Sequence, residues 1–344
     1  MENMLDEMEE ERRRKIKAVV AVFFISLAFL AASSFTFDYK SGRNPIPYLS
    51  DGSGYDWNHL FTPECHPKRF QNCLRMEQTT FFDLVDTIAP FMERSELRTS
   101  YRERVAFFIN YIAHPDTQSG LYESSGHAPE YISKTIHEVV DALYEGLRFA
   151  DFSPPNVFDE NPPFRLFNGC VGALNGTHIP IAVPFGGVGG WRNRKGVLSQ
   201  NVLVAVNFDL FVTFVYAGCE GCGHDSTVLR DAYRAGFRIP EDCYVLGDAG
   251  YGLSQRVMTP YRGTFSFNFD SVIGIIQILI GTRYHLREWA LAQERPRNPR
   301  ELFNLRHARA RCTVERVFGI VKAKFPILRH VPFRYDSLRF YCSF

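Results

Sequence analysis

The chain has 344 residues, 45% of them apolar and 22% charged, with a formal net charge of +1. That length buries a sizeable core in one large or two smaller domains, and the composition excludes a disordered or fibrous chain. The near-zero charge excludes a uniformly basic coat for nucleic acid while leaving room for a local patch.

Residues 1–37 join a charged N-terminus to the uncharged run AVVAVFFISLAFLAASSFTF at 18–37, preceded by Arg12, Arg13, Arg14, Lys15 and Lys17. A helix of that length just spans a hydrocarbon layer, and the basic flank favours the cytoplasmic side. A helix packed on the protein body and a signal-like leader fit the same residues. Membrane association through 18–37 therefore stands as one of several readings. Residues 38–59, rich in Gly, Pro, Asn and Asp, read as a linker.

Residues 60–150 carry helical patterns. Phe81, Phe82, Val85 and Ile88 recur at helical spacing, and Ser100 is placed to cap a helix bearing Val105, Phe108, Ile109 and Ile112. Ile132, Ile136, Val139, Val140 and Leu143 mark a third. The spacing suits a helix-turn-helix and equally a plain three-helix bundle. A Pro/Asn-rich loop at 151–164 follows.

Beyond it the texture changes. VGALNG, NVLVAVNFD and LFVTFVYAG read as three strands joined by short turns, which allows them to lie antiparallel. HDSTVLRDAYRAG reads as a helix and EDCYVLGDAGYG as a buried strand ending in a carboxylate. SVIGIIQILIGTRYHLREWALAQ and CTVERVFGIVKAKFPIL read as helices. This order predicts an α/β domain, a mixed sheet covered by helices. The eight cysteines are scattered, and CEGC with His224 lacks the second ligand pair that a zinc site needs.

Ligand groups in α/β sheets gather beyond the strand ends. Asn175 following the first strand and Asp248 ending the fourth are thus candidate neighbours, with Glu315 supplied by the late helix. Two carboxylates beside a third oxygen donor suit hard ions such as Mg2+ or Mn2+. Asp225 either favours the start of its helix through the helix dipole or supports the metal site. Between Arg283 and Arg329 stand twelve Lys or Arg against four Glu. Arg192, Arg194 and Lys195 add a second basic group beside Trp191, whose ring suits stacking. With His178, Arg311 and Arg316 these are the candidate DNA contacts, although Arg311 and Arg316 suit nearby glutamates equally well.

GCVGALNGTHIPI, WRNRKGVLSQNVLVAVNFDLFVTFVYAGCEGCGHDSTVL, YVLGDAGYG, PYRG and ELFNLRHARARCTVERVFGIVKAKFPIL together resemble the PIF/Harbinger-type DDE transposases and the nucleases derived from them. The resemblance implies an RNase H-like catalytic domain over 165–332, a preceding helical domain and a C-terminal tail at 333–344. It also implies divalent-metal-dependent cutting of DNA by a two-metal site. Carried over, Asp248 is the second acidic residue and Glu315 the third. The first falls on Asn175, where the family has Asp, followed here by the preserved Gly176, Thr177, His178 and Ile179. Impaired or absent cleavage is the expectation, with a DNA-bound scaffold as the alternative. DNA, a separate Myb-like accessory protein and a second copy in a homo-oligomer are the implied partners, and the nucleus is the implied location.

Overall fold

The computed structural model describes residues 57–92, 99–114, 125–146, 152, 166–180, 189–261 and 296–329. The apolar run 18–37, linker residues 38–56, the helical reading of 271–293 and the tail 333–344 lie outside the described residues. Among the described residues, no helix is long and apolar enough to cross a membrane.

Among the described residues, five α-helices come first: α1 (Trp57–Leu60), α2 (Pro67–Leu74), α3 (Gln78–Ile88), α4 (Tyr101–Ala113) and α5 (Pro129–Gly146). The first begins three residues inside the stretch read as linker. Ser100 caps α4 as expected, its hydroxyl accepting the Glu103 N–H at 3.2 Å. The four apolar residues expected on one side of α4 are buried, but so are Ala106, Phe107 and Arg104. A helix enclosed on nearly all sides needs a partner for any charge it carries inward. The Arg104 guanidinium finds one in Glu138 of α5 and stacks over Tyr101.

The sheet holds β1 (Cys170–Pro180), β2 (Ser199–Val206), β3 (Val212–Glu220), β4 (Tyr244–Leu246) and β5 (Val257–Met258) in the order β3-β2-β1-β4-β5. The first three are antiparallel as expected, although only β2 and β3 are joined by a short turn and residues 181–198 separate β1 from β2, while β4 runs parallel to β1 and β5 parallel to β4. This is the mixed sheet expected of an RNase H-like domain. Helix α6 (Asp225–Arg234) covers one face and α7 (Pro299–Lys324) lies on the other. Alternation along β2 divides its side chains between them: Val202, Val204 and Val206 face the α7 side, Leu203 and Ala205 the α6 side.

The α7 side is continuous with the helical region. A single buried cluster runs from Trp57 through α3, α4 and α5 to Ala173, Val204, Val314, Val321, Phe325, Ile327 and Leu328. The turn Pro326–Leu328, where Pro stops α7, docks against α4. Helix α7 is therefore anchored at its far end by the N-terminal helices.

Candidate active site

The parallel pairing of β1 with β4 matches Ala173 to Leu246, both on the α7 side. Two residues further along each chain stand Asn175 and Asp248, so strand register brings the expected first and second acidic positions to one level. Asn175 is half-buried in β1 opposite Val204 of β2. Its Oδ1 accepts the Gly176 N–H at 2.9 Å. Asp248 caps a single 3-10 turn, Ala249–Tyr251, accepting the Ala249 N–H at 2.7 Å.

Helix α7 crosses this level. His307 Nε2 donates to the Met258 carbonyl at 3.0 Å near its start, and Lys322 Nζ reaches Thr177 Oγ1 at 2.7 Å near its end. At about 100° per residue, His307, Arg311, Glu315 and Lys322 share one stripe of the helix. Glu315 sits between the two contacts, 43% exposed, and is ion-paired to Arg311. Arg311 is itself buried, and its Nη1 has no hydrogen-bond partner. It is engaged within the helix, so of its two readings the structure favours a glutamate partner over a phosphate contact. Arg316 is exposed.

Asp225, the first residue of α6, is wedged between the two backbones that carry the site. A Cβ on Gly250 would stand 2.6 Å from its Oδ2, and one on Gly176 would stand 3.3 Å from its Oδ1. Its described hydrogen bond comes from Asn201 Nδ2 at 3.3 Å. The same Gly176 position faces Asn201 Oδ1 at 2.8 Å and Tyr251 Oη at 3.3 Å, two buried oxygens without a hydrogen-bond partner. Asp225 thus has oxygen-rich surroundings reserved for it by two glycines. Sequence reading missed Asn201, Tyr251, His307 and Lys322, since only tertiary packing gathers them here; the glycines beside Asn175 and Asp248 were the only local signal.

Electrostatics follow the packing. Burial, reinforced by Asp225 and Asp248, raises the Tyr251 phenol well above its ordinary range, so it remains neutral. Burial takes His307 down to about 4, with Arg311 adding to the fall and the Met258 hydrogen bond and Asp248 opposing it. Lys322 is lowered to about 8, first by burial and then by Arg329. His178 is lowered by burial, against the pull of Asp225 and with the help of Lys322, Lys195 and Arg194.

Those last cations belong to the loop before β2. Arg192, Arg194 and Lys195 are exposed, as DNA contacts require, but Trp191 is only 5% exposed. Its ring packs inward at the loop base and is not presented for stacking on a base. His178 Nδ1 lies 3.1 Å from Ser199 Oγ.

All four oxygen-bearing residues, Asn175, Asp225, Asp248 and Glu315, are of the kind that hard divalent ions prefer. In number they fall short of a preformed centre: no three His, Cys, Asp or Glu among the described residues come close enough to hold a metal ion together. Asn175 supplies no charge, and Glu315 is neutralised by Arg311.

Comparison with known proteins bears on the family. The model of the DDE superfamily endonucleases matches residues 174–344, and a domain of unknown function (DUF8040) matches residues 50–145. The chain is 24% identical over 245 residues to "Protein ALP1-like" of Arabidopsis thaliana, covering 60% of this chain and 60% of that protein. It is 23% identical over 191 residues to "Putative nuclease HARBI1" of Rattus norvegicus, covering 52% of this chain and 54% of that protein. The chain thus spans less than two thirds of either relative. No solved structure matches. Residues 174–344 thus carry the domain of the DDE superfamily endonucleases, on a mixed sheet of order β3-β2-β1-β4-β5, and the chain is similar to the Harbinger-type, transposase-derived DDE nucleases.

Proposed function

We propose that this protein binds DNA in the nucleus and retains the frame of a metal-dependent phosphodiesterase whose cleavage is strongly weakened by Asn175. The observation that supports the reading is the parallel pairing of Ala173 with Leu246, each two residues before Asn175 and Asp248. Asp248 and Glu315, with Asn175 and Asp225 beside them, would hold Mg2+ or Mn2+. Such an ion, when bound, supplies a water of lowered pKa and charge neutralisation at the phosphate. Asn175 offers a carbonyl oxygen where the family offers an anion. A loss of about 3–4 kcal/mol in transition-state stabilisation corresponds to a rate some hundred- to thousandfold lower.

The second reading, a DNA-bound scaffold without cutting, is favoured by one observation: Glu315 is held by Arg311. A Myb-like accessory protein and a second copy of the chain are the partners consistent with either reading. Nicking of supercoiled plasmid with Mn2+, compared between the natural protein and Asn175→Asp, tests the proposal. Weak or no nicking by the natural chain and a gain of at least tenfold in the variant are expected. Strong cleavage by the natural chain overturns it, whereas an unchanged variant that still binds DNA favours the scaffold.

A further inference from the structure

Residues 189–198 form a tight loop before β2, closed by an isolated bridge between Arg192 and Leu198. Asn193 organises it. Its Oδ1 accepts the N–H groups of Lys195 at 2.9 Å and Val197 at 3.1 Å, while its Nδ2 donates to Ser199 Oγ at 3.0 Å. Because Oδ1 takes two backbone donors, the amide orientation is determined. Arg192 Nη1 closes the turn on the Gly196 carbonyl at 3.0 Å. Gly196 has φ +76° with open space around it, as a tight exposed turn requires.

The base of the loop is fixed just as firmly. Trp191 is buried, and its carbonyl accepts the Ser199 N–H at 2.8 Å. A Cβ on Gly190 would meet the Glu220 carboxylate at 2.0 Å, and one on Gly221 would meet the Trp191 carbonyl at 2.6 Å. Glu220 therefore lies under the base, while Arg194 and Lys195 stand on the exposed rim with no ion pair among the described residues. Three exposed cations on a braced frame lose less conformational freedom on binding than cations on a loose loop.

The loop is also tied to the candidate active site. Ser199 Oγ accepts from Asn193 and also shares a hydrogen bond with His178 Nδ1 at 3.1 Å. The exposed His178 ring, three residues from Asn175, is thereby joined to the loop. Lys322 Nζ completes the edge, bound to Thr177 Oγ1 at 2.7 Å and to the His178 carbonyl at 3.1 Å.

We propose that the 189–198 loop, with His178 and Lys322, is a preorganised arm that grips the sugar-phosphate backbone of duplex DNA beside Asn175, with Asn193 as its organising residue. The arm reads charge and spacing and no base sequence, because its cations are backbone-directed and its one large aromatic is buried. This rests on the DNA-binding reading above and assigns that binding to a particular surface.

The test is fluorescence anisotropy of the full-length protein with a fluorescein-labelled 30-base-pair duplex, over KCl from about 50 to 300 mM, the range in which phosphate contacts are separable by salt. Losing two phosphate contacts reduces the slope of log Kd on log[KCl] by about 1.8. Arg194→Gln/Lys195→Gln is expected to show that reduction, with affinity at least fivefold weaker near 0.1 M salt. Asn193→Ala keeps every charge but loses the frame, so a weaker affinity is expected with the slope nearly unchanged. Arg230→Gln/Arg234→Gln removes two exposed cations from the outer side of α6 and serves as the control. Duplex binding by the natural protein with the loop variants no different from that control overturns the arm alone. No salt-dependent binding by the natural protein overturns both the arm and the DNA-binding reading. Circular dichroism melts of each variant confirm that folding is not the cause.

Discussion

At the residue scale, His307 shows what burial against a polar site costs. Its Nε2 donates to Met258, and only the neutral ring suits a position flanked by Arg311. Its folded-state pKa of about 4 lies below the ordinary value of 6.5. Between these values the unfolded chain binds the extra proton and the folded chain does not. Stability therefore rises with pH through that window and is lost as pH falls from about 6.5 toward 4. Denaturant unfolding at half-unit steps from pH 4 to 7 should show this slope, and His307→Asn should flatten it, whatever its effect on absolute stability. An unchanged slope would mean that other groups carry the acid dependence. Nothing in ELFNLRHARARC distinguishes this histidine from a solvated one, because its partner is a carbonyl 49 positions back in the chain. Asp248, in contrast, was legible as the carboxylate that ends a buried strand, whereas Asn175 reads locally as a turn residue and is marked out only by the family resemblance.

At the element scale, long and strongly patterned segments were readable and short ones were not. The three strands and helices α3 to α6 follow from apolar periodicity and from the Ser100 cap, which accepts the Glu103 N–H; α7 was legible only from Cys312 onward, and its first half, capped by Asn298 on the Glu301 N–H, was not. Helix α1, with four residues, and β5, with two, have no period to read. Both exist because neighbours already in place complete their hydrogen bonds. Strand β1 also contains an irregularity between Cys170 and Gly172, which shifts Val171 to the α6 side. Gly172 is required there for space: a Cβ would lie 2.0 Å from the Val206 carbonyl oxygen. Gly172→Ala must displace backbone at the centre of the sheet and is expected to cost about 2–3 kcal/mol, as overpacking does. Gly196→Ala, strained only by its positive φ, should cost about 1 kcal/mol. Parallel urea titrations measure both, and equal costs would mean that β1 yields at its bulge.

At the scale of the whole molecule, the helical region and the sheet share one buried cluster, with the turn after α7 set against α4. Sequence texture divides the chain at the Pro/Asn loop near residue 160, because composition reports local elements and not which faces meet. The physical consequence is coupling: α7, which carries Glu315, cannot lose the support of α4 without exposing Phe325, Ile327 and Leu328. Cooperative unfolding of both regions as one unit is therefore expected. Trp57 packs edge-on against Phe107 in the helical region, whereas Trp191 is buried beside the sheet. Fluorescence of a variant retaining only Trp191 (Trp57→Phe/Trp289→Phe) follows the sheet, and far-ultraviolet circular dichroism of the same protein follows the helices. The two urea transitions should coincide in midpoint and steepness. Helical signal lost at lower urea than Trp191 fluorescence would show that the N-terminal helices detach first, leaving Glu315 on a helix held by the sheet alone.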